Sequence, residues 1–197
     1  MDIINHYKWR YATKKFNSNR IVSDSDLKTI KIAINLAPTS YGLQLFKVII
    51  IKNQFLKDQL KNYSYNQSQI SDASHVFVLC NYSEIKESDI DMYINSVSKT
   101  HDKPIEKLKG YSNFLKKDLL NKSNEEISIW TTKQVYIALS HLMTACATLK
   151  IDSCPIEGFQ ANKYNEILKL DSHLNTAVVA AVGYRSKEDS SQFNKKV

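Results

Sequence analysis

The run VYIALSHLMTACATL, residues 135–149, is apolar nearly all round, and a helix without a polar face is one surrounded by protein. It closes a helical pattern that starts near Glu125, and Ala138, Ala145 and Ala147 let neighbours approach the backbone closely. A buried central helix needs layers around it, and the flanking sequence supplies them. The runs KVIIIK (47–52), HVFVLCN (75–81) and TAVVAAVGY (176–184) are short, β-branched and followed by a polar break or by Gly183, which predicts buried strands. Helical spacing is predicted from Asp24 to Leu36, with Leu27, Ile30 and Ile34 on one face and Ser23 or Asp24 as the cap, and over about 53–63, 87–100 and 103–121. Strands this few, separated by one or several helices, predict a single α+β domain over residues 1–197. Its expected architecture is a small mixed central sheet flanked by helices, with the long helix in the middle.

The bulk numbers exclude several classes. A chain of 197 residues with 43% hydrophobic content can bury a core. Cys80, Cys146 and Cys154 are odd in number and lack C-x-x-C spacing, and the five histidines are scattered, so neither a disulfide framework nor a metal site is predicted. The net charge of +7 favours anionic ligands. The lysines, however, are interleaved with acids, as in EIKESDIDMY (84–93), and form solvated helix faces rather than a nucleic-acid surface. No window reaches the roughly 18 to 20 uncharged apolar residues of a membrane span, and the opening MDIINHYKWR is too polar for a secretion signal. No membrane association and a cytoplasmic location are therefore expected.

Three segments carry candidate chemistry. Neither G-x-G-x-x-G nor G-x-x-x-x-G-K-[ST] occurs, so any phosphate must be held in another way. WRYATKKF (9–16) offers Arg10, Lys14 and Lys15, with Arg10 and Lys14 on the same side of a turn. APTSYGLQLF (37–46) breaks a helix at Pro38 and then presents Thr39, Ser40 and Gly42. CPIEGF (154–159) sets Pro155 and Gly158 around a carboxylate in a loop after the central helix, in a chain with only four glycines. Both loops offer backbone N–H groups to a planar heterocycle.

Taken in order, R-x-[SA]-T-K-x-F from Arg10, A-P-[ST]-S-x-x-x-Q from Ala37, D-A-S-H-V from Asp72, W-x-x-K-Q-V-Y from Trp130, D-x-x-P-I-E-G-F from Asp152 and V-G-Y-R from Val182 resemble the FMN-dependent nitroreductase family. The similarity is greatest to its oxygen-insensitive NAD(P)H nitroreductases and dihydropteridine reductases. The resemblance implies the nitroreductase-like fold, an intertwined homodimer with FMN between subunits, and NADH or NADPH as hydride donor. It implies ping-pong transfer through flavin N5 to a small-molecule acceptor such as a nitroaromatic, a quinone or a dihydropteridine. An FMN-binding storage or sensing protein with little turnover is the alternative.

Residue by residue, the resemblance implies that Arg10 binds the phosphate and that Lys14 reaches the flavin and ribityl region. Ala12 stands where many relatives have serine. Pro38, Thr39, Ser40 and Gly42 match the segment that covers the partner subunit's cofactor. Asn66 matches an asparagine at the pyrimidine edge, while Gln69 stands where relatives carry a lysine, which implies a lower flavin potential. Pro155, Ile156, Glu157 and Gly158 match the loop whose amides meet N5, where a side chain at Gly158 would crowd the ring. Glu157 and Tyr111 are the candidate catalytic residues, Tyr111 as an aromatic over the substrate pocket. Lys196 matches the first member of a lysine-x-arginine pair whose arginine would be residue 198. Without it the C-terminal extension is incomplete, and the expected loss is one charge-assisted hydrogen bond of about 1.5 to 3 kcal/mol. Trp130 and His75 are expected to serve structure.

Overall fold

In a computed structural model that describes residues 2–194, the strands β1 (Phe46–Ile51), β2 (His75–Tyr82), β3 (Asp152–Ile156) and β4 (Leu174–Gly183) form one sheet in the order β1-β2-β4-β3. All three pairings are antiparallel, where the sequence predicts a mixed sheet. The connections explain the difference. Between β1 and β2 the chain makes two packed helices, α3 (Gln54–Asn62) and α4 (Ser68–Asp72), which run out and back and return it to the end it left. Between β3 and β4 lies α8 (Ala161–Ile167), a seven-residue helix; at about 1.5 Å per residue it is too short to carry a parallel crossover.

β2 and β4 are central and covered on both faces, which is why they read as unbroken apolar runs. Phe77 and Leu79 of β2, with Val178, Ala180 and Val182 of β4, face one layer; Val76, Val78 and Cys80, with Val179 and Ala181, face the other. The first layer is made by α2 (Asp24–Asn35) and α7 (Asn124–Thr148), through Ile30, Ile34, Val135, Ala138, Leu142 and Cys146. The second is made by Leu60, Ile70, Tyr164 and Phe16. A third cluster joins Leu43 and Leu45 to α5 (Glu87–Thr100) and α6 (Lys109–Leu119) through Ile90, Ile94, Leu115 and Leu119, with Trp130 packed against it. Trp130 thus docks a helix, as the sequence predicts.

α7 spans 25 residues and opens with a capping box in which Ser123 and Glu126 exchange side-chain and backbone hydrogen bonds. Ser23 rather than Asp24 caps α2, its Oγ accepting from the Asp26 amide at 3.1 Å. His75 is buried, its Nδ1 at 2.9 Å from Ser74 Oγ at the start of β2. The segment expected as one helix over 103–121 is a short 3-10 turn, Ile105–Leu108, followed by α6. Four elements were not foreseen from the sequence: α1 (Ile3–Trp9), α4, α8 and β3. The three helices have five to seven residues, too few for a periodic pattern, and β3 contains Pro155. Proline is tolerated there because β3 is an edge strand with one side of its backbone unpaired. Among the described residues no helix is long and apolar enough to cross a membrane.

Gly183 ends β4 where the chain crosses the Ser74 backbone: an added Cβ would lie 2.9 Å from the Ser74 amide nitrogen and 3.1 Å from the Phe16 ring. Gly183→Ala is expected to lower stability by about 1 to 3 kcal/mol, as overpacking against an immovable backbone does, measured by urea unfolding.

Candidate functional site

The basic N-terminal segment is held by two buried carboxylates. Residues 15–17 run beside 184–186: Phe16 bridges Arg185, the Ser186 amide donates to Lys15 O at 2.9 Å, and the Asn17 amide donates to Tyr184 O at 2.8 Å. Asp189, only 2% exposed, accepts on Oδ2 from the amides of Lys14 (2.8 Å) and Lys15 (3.1 Å) and from the Tyr11 hydroxyl (3.0 Å), and on Oδ1 from the Ser191 amide. Asp152, 3% exposed, accepts from the Arg185 amide and Nε at 2.8 and 2.9 Å and from the Thr13 hydroxyl at 3.4 Å, with Arg185 Nη2 2.6 Å away. The Arg185 guanidinium also lies over the rings of Trp9 and Tyr11. Burial alone would raise the Asp189 pKa; the Lys15, Lys14 and Ser191 amides and the Tyr11 hydroxyl overcome it, and the pKa ends below the usual carboxylate value. Tyr11 is pushed up to about 12, first by burial and then by its bond to Asp189.

Arg10 Nε is buried without a hydrogen-bond partner among the described residues. Such an atom costs about 1 to 3 kcal/mol unless something outside the chain satisfies it. Burial raises the Cys154 thiol pKa, while the Lys14 and Arg10 charges pull it down. The segment meets β3 directly through the Thr13 hydroxyl, which donates to Asp152 at the start of that strand. Ala12 is exposed.

CPIEGF is only partly a loop. Cys154, Pro155 and Ile156 end β3, and Glu157 and Gly158 project beyond it. Ile156 is buried in the core at 3% exposure, so its side chain serves packing. Glu157 Oε1 accepts from the Tyr136 hydroxyl of α7 at 2.6 Å, and Tyr136 is pushed up to about 12 by burial and by that bond. The turn between α3 and α4 meets the same loop: Gln67 Nε2 donates to Gly158 O at 2.8 Å, and the Gln160 amide donates to Tyr63 O at 2.9 Å. Asn66 sits exposed at its tip, and Tyr65 and Asn66 have φ of 52° and 57°. A Cβ on Gly158 would point at Gln67 Nε2 (3.3 Å) and the Tyr65 ring (3.5 Å). The glycine thus has a reason within the chain, the close approach of this turn. Gln69 lies below the turn at 8% exposure.

Pro38, Thr39, Ser40 and Gly42 fall elsewhere. The Ser40 amide donates to Gln134 Oε1 of α7 at 3.0 Å, and Thr39 Oγ1 accepts from the Gln44 amide at 3.1 Å. Between Ser40 and Gly42, Tyr41 has φ 59° and Gly42 φ 75°. The Tyr93 hydroxyl donates to Tyr41 O at 2.5 Å, and the Tyr111 hydroxyl reaches the same carbonyl at 3.4 Å. Tyr41 also packs on Phe114 and Trp130. Gln134 and Tyr136 are two residues apart, about 200° around a helix. The Ser40 loop and the Glu157 loop are therefore supported on opposite sides of α7.

The fold thus brings the turn that bears Asn66 beside Pro155, Glu157 and Gly158 at one end of β3, ties the segment of Arg10 and Lys14 to Asp152 at its other end and to Asp189, and holds Pro38, Thr39, Ser40, Gly42 and Tyr111 on another side of α7. Lys196 lies outside the described residues. Asp152, Asp189, Gln67, Gln134 and Tyr136 were missed from the sequence. Asp152 and Tyr136 stand inside quoted motifs, but Asp189, four residues beyond Arg185, gives no local signal. Among the described residues no group of three or more His, Cys, Asp and Glu could hold a metal ion.

Comparison with known proteins gives matches of three kinds. A family model described as the nitroreductase family matches residues 7–184. A Staphylococcus haemolyticus protein provisionally named NAD(P)H nitroreductase is 36% identical over 195 residues, covering 94% of this chain and 89% of that protein. A Bacillus subtilis protein with the same provisional name is 34% identical over 198 residues, covering 94% and 90%. Among solved structures, a nitroreductase family protein of Streptococcus pneumoniae superposes with a TM-score of 0.81 at 23% identity over 95% and 92% of the two chains. A provisionally assigned nitroreductase of Exiguobacterium sibiricum, solved in complex with FMN, superposes with a TM-score of 0.86 at 16% identity over 100% and 92%.

Two outcomes follow from this geometry. Because the Asp189 pKa is lowered, the clamp is intact above the unfolded carboxylate value of about 3.9 and is lost only as pH falls through the lower folded value; stability contributed by Asp189, read as the difference in melting temperature between the protein and Asp189→Asn, should be flat from pH 8 to 5 and shrink below pH 4. Gly158→Ala meets only the movable end of Gln67 and the edge of Tyr65, and its unfolding free energy should stay within about 1 kcal/mol of the parent.

Proposed function

This chain belongs to the nitroreductase family, and from that premise we propose that it is an FMN-dependent NAD(P)H oxidoreductase. Residues 1–197 act as one flavin-binding domain, with ping-pong transfer of hydride from NADH or NADPH to a nitroaromatic, quinone or dihydropteridine-type acceptor. The observation that carries this reading is the buried, unpartnered Nε of Arg10, in the segment that Thr13 ties to Asp152 at the start of β3. A cationic donor out of water with nothing to bind fits an anionic group such as the FMN phosphate. The names of the relatives and the FMN complex of the structural neighbour support the same cofactor.

When bound, FMN supplies a ring nitrogen that accepts hydride from the nucleotide and returns two electrons to the acceptor. The chain supplies binding and orientation. Arg10 and Lys14 would hold the phosphate end. The Gly158 amide, which has no partner among the described residues, is available to the ring edge, and Asn66 to the neighbouring edge. Tyr136 keeps its proton at neutral pH and fixes the Glu157 carboxylate from α7, so the loop that bears Gly158 is held from both ends. Catalysis of this kind asks for no side-chain acid or base.

The homodimer belongs to the same proposal. The Ser40 loop lies across α7 from the Glu157 loop, so a second subunit is needed to bring Thr39 and Ser40 over the cofactor of the first. Half-exposed apolar side chains along α1, α2 and α7, including Ile4, Ile32, Ile129 and Ile137, with the exposed Leu36 just after α2, give that subunit a face to bury.

The test is an absorbance spectrum of protein purified with FMN, then anaerobic addition of NADPH or NADH. Flavin bands that bleach within seconds are expected; a yellow protein that neither nucleotide bleaches would mean storage or sensing, and a colourless one would overturn the reading. Arg10→Ala should weaken FMN binding by about 10- to 150-fold, the loss of one charge-assisted hydrogen bond, measured by flavin fluorescence titration.

A further inference from the structure

Two adjacent lysines stand in the WRYATKKF segment, and the motif match assigns only the first of them to the cofactor. They lie in a bend of the chain, where consecutive amides can turn toward one acceptor. The structure separates them. Lys15 turns toward the C-terminal segment, its Nζ 3.7 Å from Glu188, and its carbonyl is taken by the Ser186 amide. The Lys14 side chain is exposed and makes no hydrogen bond or ion pair among the described residues.

We propose that Asp189 is the positioning residue of the cofactor's phosphate end: by receiving the amides of both Lys14 and Lys15 on a single oxygen, it fixes the bend, and with it the register, that turns Lys15 to Glu188 and leaves Lys14 free for the ligand. The proposal rests on the flavin reading for the identity of the ligand, but not for the register itself. Asp189 is buried and takes four donors, Lys14 N, Lys15 N and Tyr11 Oη on Oδ2 and Ser191 N on Oδ1, so its negative charge is compensated locally. It is also anchored from behind, since Asp189 caps the 3-10 turn Ser190–Phe193 and its own amide donates to Ser186 O at 3.1 Å. Asp152 performs the companion task on Arg185 and Thr13, which holds the strand beside which residues 15–17 run.

The experiment is a double-mutant cycle on the full chain. FMN dissociation constants are measured by fluorescence for the protein, Asp189→Asn, Lys14→Ala, Lys15→Ala and both lysine changes in the Asp189→Asn background, with circular dichroism for each. The expected result is a loss of about tenfold or more for Lys14→Ala, a change under about twofold for Lys15→Ala, and a loss for Asp189→Asn. In the Asp189→Asn background the two lysine changes should become similar in effect. Hydrogen exchange in the FMN-free protein should show the Lys14 and Lys15 amides deprotected in Asp189→Asn. Additive losses, or an unchanged ratio between the two lysine variants, would overturn the proposal, as would an Asp189→Asn chain that does not fold. Failure of the parent protein to bind FMN would instead sink the flavin reading, while the exchange measurement still decides the register.

Discussion

Everything else in the molecule hangs on the burial of α7 against the central strands β2 and β4. The contact is possible because small side chains meet there: Ala138 and Cys146 of the helix face Ala180 and the β-branched Val178 and Val182 of the sheet. A fully buried aliphatic side chain is worth about 1.5 to 3 kcal/mol, so this layer dominates the stability of the fold. It also fixes a 25-residue rod from which loops on two different sides are suspended, one through Gln134 and one through Tyr136. Rigidity in the core is thereby passed to backbone positions at the surface, the usual requirement for holding a planar ligand.

The phosphate end solves an electrostatic problem. Cations that attract an anion also repel one another, and a buried one is costly when alone. The chain answers with carboxylates placed behind the cations. Asp152 neutralises Arg185 and Asp189 gathers backbone donors, leaving Arg10 as the group whose Nε has no partner among the described residues. The overall charge of +7 says little about this arrangement. Its relevant part is a few residues whose counter-charges are assigned one by one.

Left-handed backbone occurs in both turns that bear candidate residues. Tyr41 and Gly42 carry it in one, Tyr65 and Asn66 in the other. A non-glycine residue in this region costs of order 1 kcal/mol or more and persists only when its surroundings hold it. For Tyr41 the holders are visible: Tyr93 and Tyr111 at its carbonyl, Asp118 at its hydroxyl, and Phe114 and Trp130 at its ring. The aromatic helix expected to border a substrate pocket is thus tied directly to the loop that bears Thr39 and Ser40.

The sequence by itself determined the long elements: the buried helix, the two central strands and the amphipathic helices, because period and length are local properties that survive without knowledge of neighbours. It also supplied the ordered motifs that identify the family. The tertiary structure alone decided the rest. β3 was hidden by Pro155, which only an edge position tolerates, and α1, α4 and α8 were too short to show a period. The hold of Asp189 on the amides of Lys14 and Lys15 spans more than 170 residues, and no local signal reports a partner at that distance. The separation of Ser40 from Glu157 follows from two residues of a single helical turn, Gln134 and Tyr136, pointing opposite ways. Each of these is a long-range contact, and long-range contacts are set by packing that no stretch of residues contains.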